Sequence, residues 1–137
     1  MINVPHILLA AGASRRMGEP KQLLRWGNKR LIQFQIENIL NTTKKLYVIL
    51  GAHADLIEPF LMGYDIELIR FNEWESGMGD SLAFGVKYIK NSLSNLDGIL
   101  ISLIDQPLVL TSHYFKMRNI FEKDKKQIIA SESDMGW

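Results

Sequence analysis

Short, nearly unbroken apolar runs alternate along the chain with segments whose apolar residues recur at helical spacing. Pro5 to Ala10 is one such run, and its length and small-residue end suit a buried strand, with Pro5 tolerated at the first position. Leu46 to Leu50, Ile66 to Phe71 and Gly98 to Ile104 read the same way, and Gln127 to Ala130 predicts a last strand. Arg30 to Leu40 carries Leu31, Ile32, Phe34, Ile36, Ile39 and Leu40 at mostly helical spacing. Asp80 to Ile89 places Leu82, Ala83, Val86 and Ile89 on one side of a helix. Further helices are predicted over Ala54 to Met62, stopped by Gly63, and over Ser112 to Glu122.

Strands that alternate with helices along a whole chain predict a mostly parallel sheet with helices on both faces, a three-layer α/β/α, Rossmann-like architecture. Residues 1–137 read as one domain of this kind, with no internal repeat or low-complexity segment. Such sheets bind ligands at the carboxyl ends of their strands. Ala11 to Lys21, Asn72 to Ser81 and Asp105 to Pro107 follow predicted strands, so all are expected on one rim.

Composition narrows the class. At 47% hydrophobic residues the chain is expected to be globular, and with no cysteine it has neither a disulfide frame nor a thiolate metal site. No apolar stretch approaches bilayer length, and the start lacks the basic region of a secretory signal, so a cytoplasmic protein with no membrane partner is expected. A net charge of +1 argues against a nucleic-acid partner. The charges are nevertheless segregated. Between Ala13 and Ile36 there are six bases (Arg15, Arg16, Lys21, Arg25, Lys29, Arg30) against Glu19, whereas His53 to Asp80 has seven acids against Arg70. A local basic block suits a small polyanion such as a phosphate chain, and equally suits solvated surface.

The first rim segment reads Leu9-Ala10-Ala11-Gly12-Ala13-Ser14-Arg15-Arg16-Met17-Gly18-Glu19-Pro20-Lys21. Small residues let a backbone approach a ligand, and successive amides in such a loop can cradle an anion, with Arg16 and Lys21 adding charge above it. The spacing is neither a Walker loop nor a dinucleotide fingerprint. A tight strand-to-helix turn with surface cations suits the same residues. The second segment contains Gly77-Met78-Gly79-Asp80-Ser81-Leu82, with Gly85 three residues on, and the third is Asp105-Gln106-Pro107. By residue chemistry alone, Asp105 is a metal ligand or a turn residue, and Ser81 a ligand contact or a helix-start residue. Trp74 is a rim residue that either packs or touches a ligand, while His6, His53 and His113 show no metal spacing and suit structural or surface roles.

The run Leu-Ala-Ala-Gly-x-Ser-x-Arg-Met-Gly-x-x-Lys, with the two later motifs in order, closely resembles the signature of the MobA-like nucleotidyltransferases, and within them the molybdenum cofactor cytidylyltransferases. The resemblance implies a nucleotidyltransferase fold and a reaction in which a terminal phosphate of molybdopterin attacks the α-phosphorus of a nucleoside triphosphate and pyrophosphate leaves. It implies that Leu9, Ala10, Ala11, Gly12, Ala13, Ser14 and Gly18 hold the triphosphate, that Gly77, Gly79 and Ser81 border the base, and that Asp105 holds Mg²⁺. Arg16 would steady the departing pyrophosphate and Lys21 would neutralise the α-phosphate. Related guanylyltransferases tend to carry Gly-Gly where this chain has Ala11-Gly12, and a methyl there would crowd a purine amino group, so CTP is expected rather than GTP. A sugar phosphate or another phosphorylated alcohol is the alternative acceptor.

The resemblance also implies more chain. Such proteins continue into a further glycine-containing segment and a second acidic residue for the metal, whereas here no acid after Asp105 stands at an obvious site position, and Glu132 and Asp134 lie in the final residues. A C-terminally truncated domain is therefore expected, whose open sheet edge invites association, and which has low stability or forms a homodimer that covers the exposed apolar surface. Nucleotide binding without turnover is a further reading of such a domain.

Overall fold

The computed structural model describes residues 3–13, 15, 16, 18–73, 77–106 and 111–124, with the backbone alone for Arg15, Arg16 and Met78. Strand β1, His6–Ala10, is followed by two small ribbons, β2 (Arg15–Arg16) with β3 (Glu19–Pro20), and β4 (Arg25–Trp26) with β5 (Lys29–Arg30). A 3₁₀ turn over Lys21–Leu23 lies between the ribbons. Helix α1, Leu31–Leu40, leads to β6, Leu46–Leu50. A short helix α2, Ala54–Ile57, runs into a 3₁₀ turn over Glu58–Leu61, then β7, Glu67–Arg70, helix α3, Met78–Ser92, β8, Leu100–Leu103, and helix α4, Thr111–Lys123.

The main sheet has the order β7-β6-β1-β8 and every pairing in it is parallel. Strand β1 lies inside it, with Leu8 opposite Val48 on one side and Ser102 on the other. A strand buried on both faces must be apolar throughout, and no residue of β1 or β6 reaches the surface. Side chains alternate between two layers. Leu8, Ala10, Leu46, Val48 and Leu50 meet Leu31, Ile32, Ile36 and Ile39 of α1, Ile57 of α2 and Tyr114 of α4. Ile7, Leu9, Tyr47, Ile49 and Ile69 meet Leu82, Val86 and Ile89 of α3. The expected three-layer α/β/α arrangement is present.

Local departures from the expected elements have physical reasons. The helix expected from Ala54 to Met62 tightens into 3₁₀ geometry at Glu58, because Pro59 cannot donate to a continuing ladder. Helix α3 starts two residues early, as Gly77 at φ 118° supplies a backbone conformation that other residues avoid. Gly85 faces the sheet, where a Cβ would lie 2.3 Å from Ile49 Cδ1, so the middle of α3 runs close against β6. The expected strand over 127–130 lies outside the described residues. No helix of the described residues is long and apolar enough to cross a membrane.

At the opposite end of β1 from the glycine loop, His6 is fully buried. Ser102 Oγ donates to the Tyr114 hydroxyl at 2.9 Å and lies 2.6 Å from His6 Nε2, which must then carry the proton it shares with Ser102. Burial, helped by the nearby Arg118 guanidinium, lowers the His6 pKa to about 3. An unfolded histidine binds a proton near pH 6.5 while the folded one stays neutral. Stability is therefore complete above about pH 6.5 and declines as pH falls toward 3, by about 1.4 kcal/mol per pH unit for one proton. Urea unfolding at pH 7, 5.5 and 4.5 is expected to show this slope, and His6→Phe is expected to flatten it by about one proton.

Candidate functional site

The route of the chain through the sheet creates a crevice. From β1 the chain moves outward through β6 to β7, then crosses to the other side of β1 as β8. Connections that leave in opposite directions open a cleft outside the carboxyl ends of the two strands. Here those ends carry the glycine loop after Ala10 and the turn containing Asp105.

Leu9, Ala10 and Ala11 are buried, so they meet the crevice through backbone alone, whereas Gly12, Ala13 and Gly18 are exposed. Gly18 turns the β2–β3 ribbon at φ 86°, bringing the chain back so that Arg16 pairs with Glu19. Ser14 and the Arg16 side chain lie outside the described residues. Beyond the ribbon, Lys21 Nζ stands 2.7 Å from Asp105 Oδ1. Asp105 sits in a tight turn in which the Gln106 N–H donates to the Leu103 carbonyl at 3.1 Å, while the Ile104 N–H donates to Leu9 of β1 at 3.2 Å. Two residues far apart in the chain thus meet across the mouth of the crevice. Their side chains are 35% and 61% exposed, and a pair so solvated contributes about 0–1 kcal/mol. Its interest lies in what it can present to a ligand: a cation and a hard oxygen donor side by side.

The glycines separate by cause. An added Cβ would meet Ile49 Cδ1 at 2.3 Å at Gly85 and the Phe121 ring at 2.7 Å at Gly98, so packing favours glycine at both. Gly18 and Gly77 have positive φ. Gly12 and Gly79 have neither reason, since no described atom lies within 4 Å of a Cβ built on either. A glycine that neither packing nor backbone geometry requires is the kind that lets a ligand approach.

The Gly77 to Ser81 segment opens α3 after β7, two strands from β1. Ser81 is buried, at 2% exposure, and its hydroxyl reaches the Gly77 carbonyl at 3.4 Å. In this state Ser81 supports the start of the helix, and the glycines rather than the serine face the open side.

The basic block is also divided. Lys29 pairs with Glu37 at 2.5 Å. Arg30 donates to the Leu23 carbonyl at 2.8 Å, lies 3.9 Å from Glu19 and sits over the Phe60 ring. These bases hold the β4–β5 ribbon against α1. The Lys29 and Tyr64 hydrogen bonds keep the Glu37 carboxyl below its usual range, while burial and that same contact push the Tyr64 phenol up to about 12. In the acidic stretch, Asp55 and Glu58 both bind Arg70, at 2.8 and 2.7 Å.

Three further residues at the rim lie outside the motifs. His53, after β6, brings Nε2 to 3.4 Å from the Ala13 carbonyl. Gln22 and Gln35 are buried and bind the strand ends, Gln22 at Ala10 and Gly12 and Gln35 at Leu103. The available signal was position: Gln22 follows Lys21 at the head of a leucine pair, and Gln35 lies among the apolar positions of α1. No cluster of three or more potential metal-ligating side chains occurs among the described residues.

Residues 6–137 match the MobA-like NTP transferase domain, and the chain belongs to that family. It is 30% identical over 130 residues to a molybdenum cofactor guanylyltransferase of Campylobacter jejuni, a match covering 90% of this chain and 60% of that protein. The fold resembles a nucleotidyl transferase from Methanothermobacter, at a TM-score of 0.71 and 27% identity over 88% of this chain and 57% of that one. It also resembles an Rv0371c homologue from Mycobacterium sp. strain JC1, at a TM-score of 0.62 and 33% identity over 80% of this chain and 54% of that one. The chain spans about 60% of the length of the Campylobacter relative.

The site residues are expected to tolerate change structurally. Lys21→Ala and Asp105→Asn are each expected to alter the unfolding free energy by less than about 1 kcal/mol. Gly12→Ala is expected to stay within about 0.5 kcal/mol, and Gly79→Ala, inside a helix, to stabilise by about 0.5–1 kcal/mol. Chemical denaturation checks all four.

Proposed function

We propose that this chain is the nucleotide-binding part of a nucleotidyltransferase, with CTP as donor and the terminal phosphate of molybdopterin as acceptor. The observation that supports the reading most is the 2.7 Å approach of Lys21 to Asp105 across the mouth of the crevice, beside an exposed glycine loop. Family membership supplies the reaction class.

In this reading the amides from Ala11 to Gly18 hold the triphosphate, and Gly12 and Gly79 give the ligand room. Lys21 neutralises the α-phosphate as the acceptor oxygen attacks, Arg16 steadies the departing pyrophosphate, and the in-line geometry comes from gripping both ends of the phosphate chain. Asp105 offers an exposed carboxylate at the place where a hard cation is needed. Mg²⁺ keeps several water ligands and needs few protein carboxylates, so one aspartate together with phosphate oxygens fits its demands. When bound, the cation supplies further neutralisation of phosphate charge.

For the base, Ala11 beside Gly12 is the sequence feature behind CTP, while the Campylobacter relative bears a guanylyltransferase name. Ala11 is buried among Ile7, Leu9 and Ile49, so discrimination there would act through the position of its backbone. The acceptor rests on that same relative's name. A second reading, a module that binds nucleotide without turning it over, asks of these residues only the exposed glycine loop.

Calorimetry with CTP and with GTP, each with Mg²⁺, is expected to show uptake, tighter for CTP, and Gly12→Ala and Gly79→Ala are expected to weaken it about tenfold or more although both variants fold. Pyrophosphate release with molybdopterin present is expected to be faster with CTP, and to drop about 10²–10³-fold in Lys21→Ala and in Asp105→Asn. Faster release with GTP reverses the base assignment, release only with another phosphorylated alcohol reverses the acceptor, and binding without release leaves the module. No uptake of any nucleotide removes the proposal altogether.

A further inference from the structure

Two buried glutamines grip the strand ends that border the crevice. Gln22 Nε2 donates to the Ala10 carbonyl at 2.9 Å and to the Gly12 carbonyl at 3.2 Å. The carbonyl between them, that of Ala11, accepts the Ala52 N–H at 3.1 Å. Three consecutive carbonyls at the start of the glycine loop are therefore held from within the protein. In a trans peptide the N–H points opposite to the C=O, so the amides of Ala11 and Ala13 are turned away from Gln22. On the neighbouring strand, Gln35 Nε2 donates at 3.2 Å to the Leu103 carbonyl, the acceptor that also closes the Asp105 turn.

Both glutamines are almost wholly buried, at 2% and 3% exposure, and each keeps its own Oε1 without a hydrogen-bond partner among the described residues. A buried acceptor left unpaired destabilises a fold. A methionine would fill either space without that cost, but it would leave the Ala10, Gly12 and Leu103 carbonyls without this donor. The donated hydrogen bonds are what glutamine supplies at these positions.

We propose that Gln22 and Gln35 are positioning residues: Gln22 aims the loop amides at the phosphates, and Gln35 holds the Asp105 turn where Asp105 and Lys21 face the same ligand. The proposal rests on the nucleotidyltransferase reading for its ligand, but the two grips can be measured without one. Hydrogen exchange on the nucleotide-free chain, read by mass spectrometry, is expected to quicken at least tenfold across residues 10–18 in Gln22→Met and across 102–106 in Gln35→Met. Residues 46–50 of β6 are expected to keep their wild-type rate. Calorimetry with Mg²⁺ and whichever of CTP or GTP the wild type takes up is then expected to show at least tenfold weaker binding in Gln22→Met, at a temperature where circular dichroism shows the variant fully folded. Should a methionine variant fail to fold, Gln22→Asn and Gln35→Asn, which keep the amide but shorten its reach, are expected to give the same exchange and affinity changes. Unchanged exchange in both segments overturns the proposal, as does faster exchange with unchanged affinity. A wild type that binds neither nucleotide overturns the nucleotidyltransferase reading, and the exchange rates still decide whether the glutamines act as clips.

Discussion

Everything at the rim is positioned by the hydrogen bonding of β1 to two parallel neighbours at once. His6 to Ala10 are in register with β6, and His6 to Leu9 with β8. A strand held on both edges and covered on both faces cannot slide by one residue without inverting its buried side chains. The point at which the chain leaves the sheet after Ala10 is therefore fixed relative to the corresponding point after Leu103. The glycine loop and the Asp105 turn inherit their separation from this ladder, and the Lys21–Asp105 approach depends on it.

The interactions near the crevice differ in kind from those that hold the fold. The layers rest on apolar contact, and the ribbon that carries Lys29 and Arg30 rests on partly buried charge contacts to Glu37, Phe60 and the Leu23 carbonyl. Across the mouth, by contrast, stands one solvated ion pair. A site arranged in this way can exchange its internal partners for a ligand's charges at little cost to the scaffold. The block of six bases does not act as one surface: Lys29 and Arg30 are structural, and Lys21 stands at the crevice.

Much of the fold was legible because burial on both faces forces a continuous apolar run. The strand over Leu46–Leu50 appears with the bounds read from the sequence, and the helix ends differ by at most three residues, apart from the Ala54 segment. The two-residue ribbons were not legible, since strands that short carry no periodicity. For the site, the motif named Lys21 and Asp105, but their meeting depends on β8 returning beside β1, which no local pattern encodes. Ser81 read as a ligand contact or a helix-start residue, and the structure shows it buried with its hydroxyl toward the Gly77 carbonyl. The buried glutamines were invisible because a polar residue within an amphipathic pattern reads as surface.

Gly85 gives the molecule a means of adjustment remote from the crevice. With no side chain there, α3 lies flush against Ile49 and Ile7, and the head of that helix, with Gly77 and Gly79, is set at the height this contact allows. An added side chain there would first meet Ile49 Cδ1, so the spacing of α3 from β6, and with it the height of the turn at Gly77 and Gly79, depends on how far that one side chain gives way.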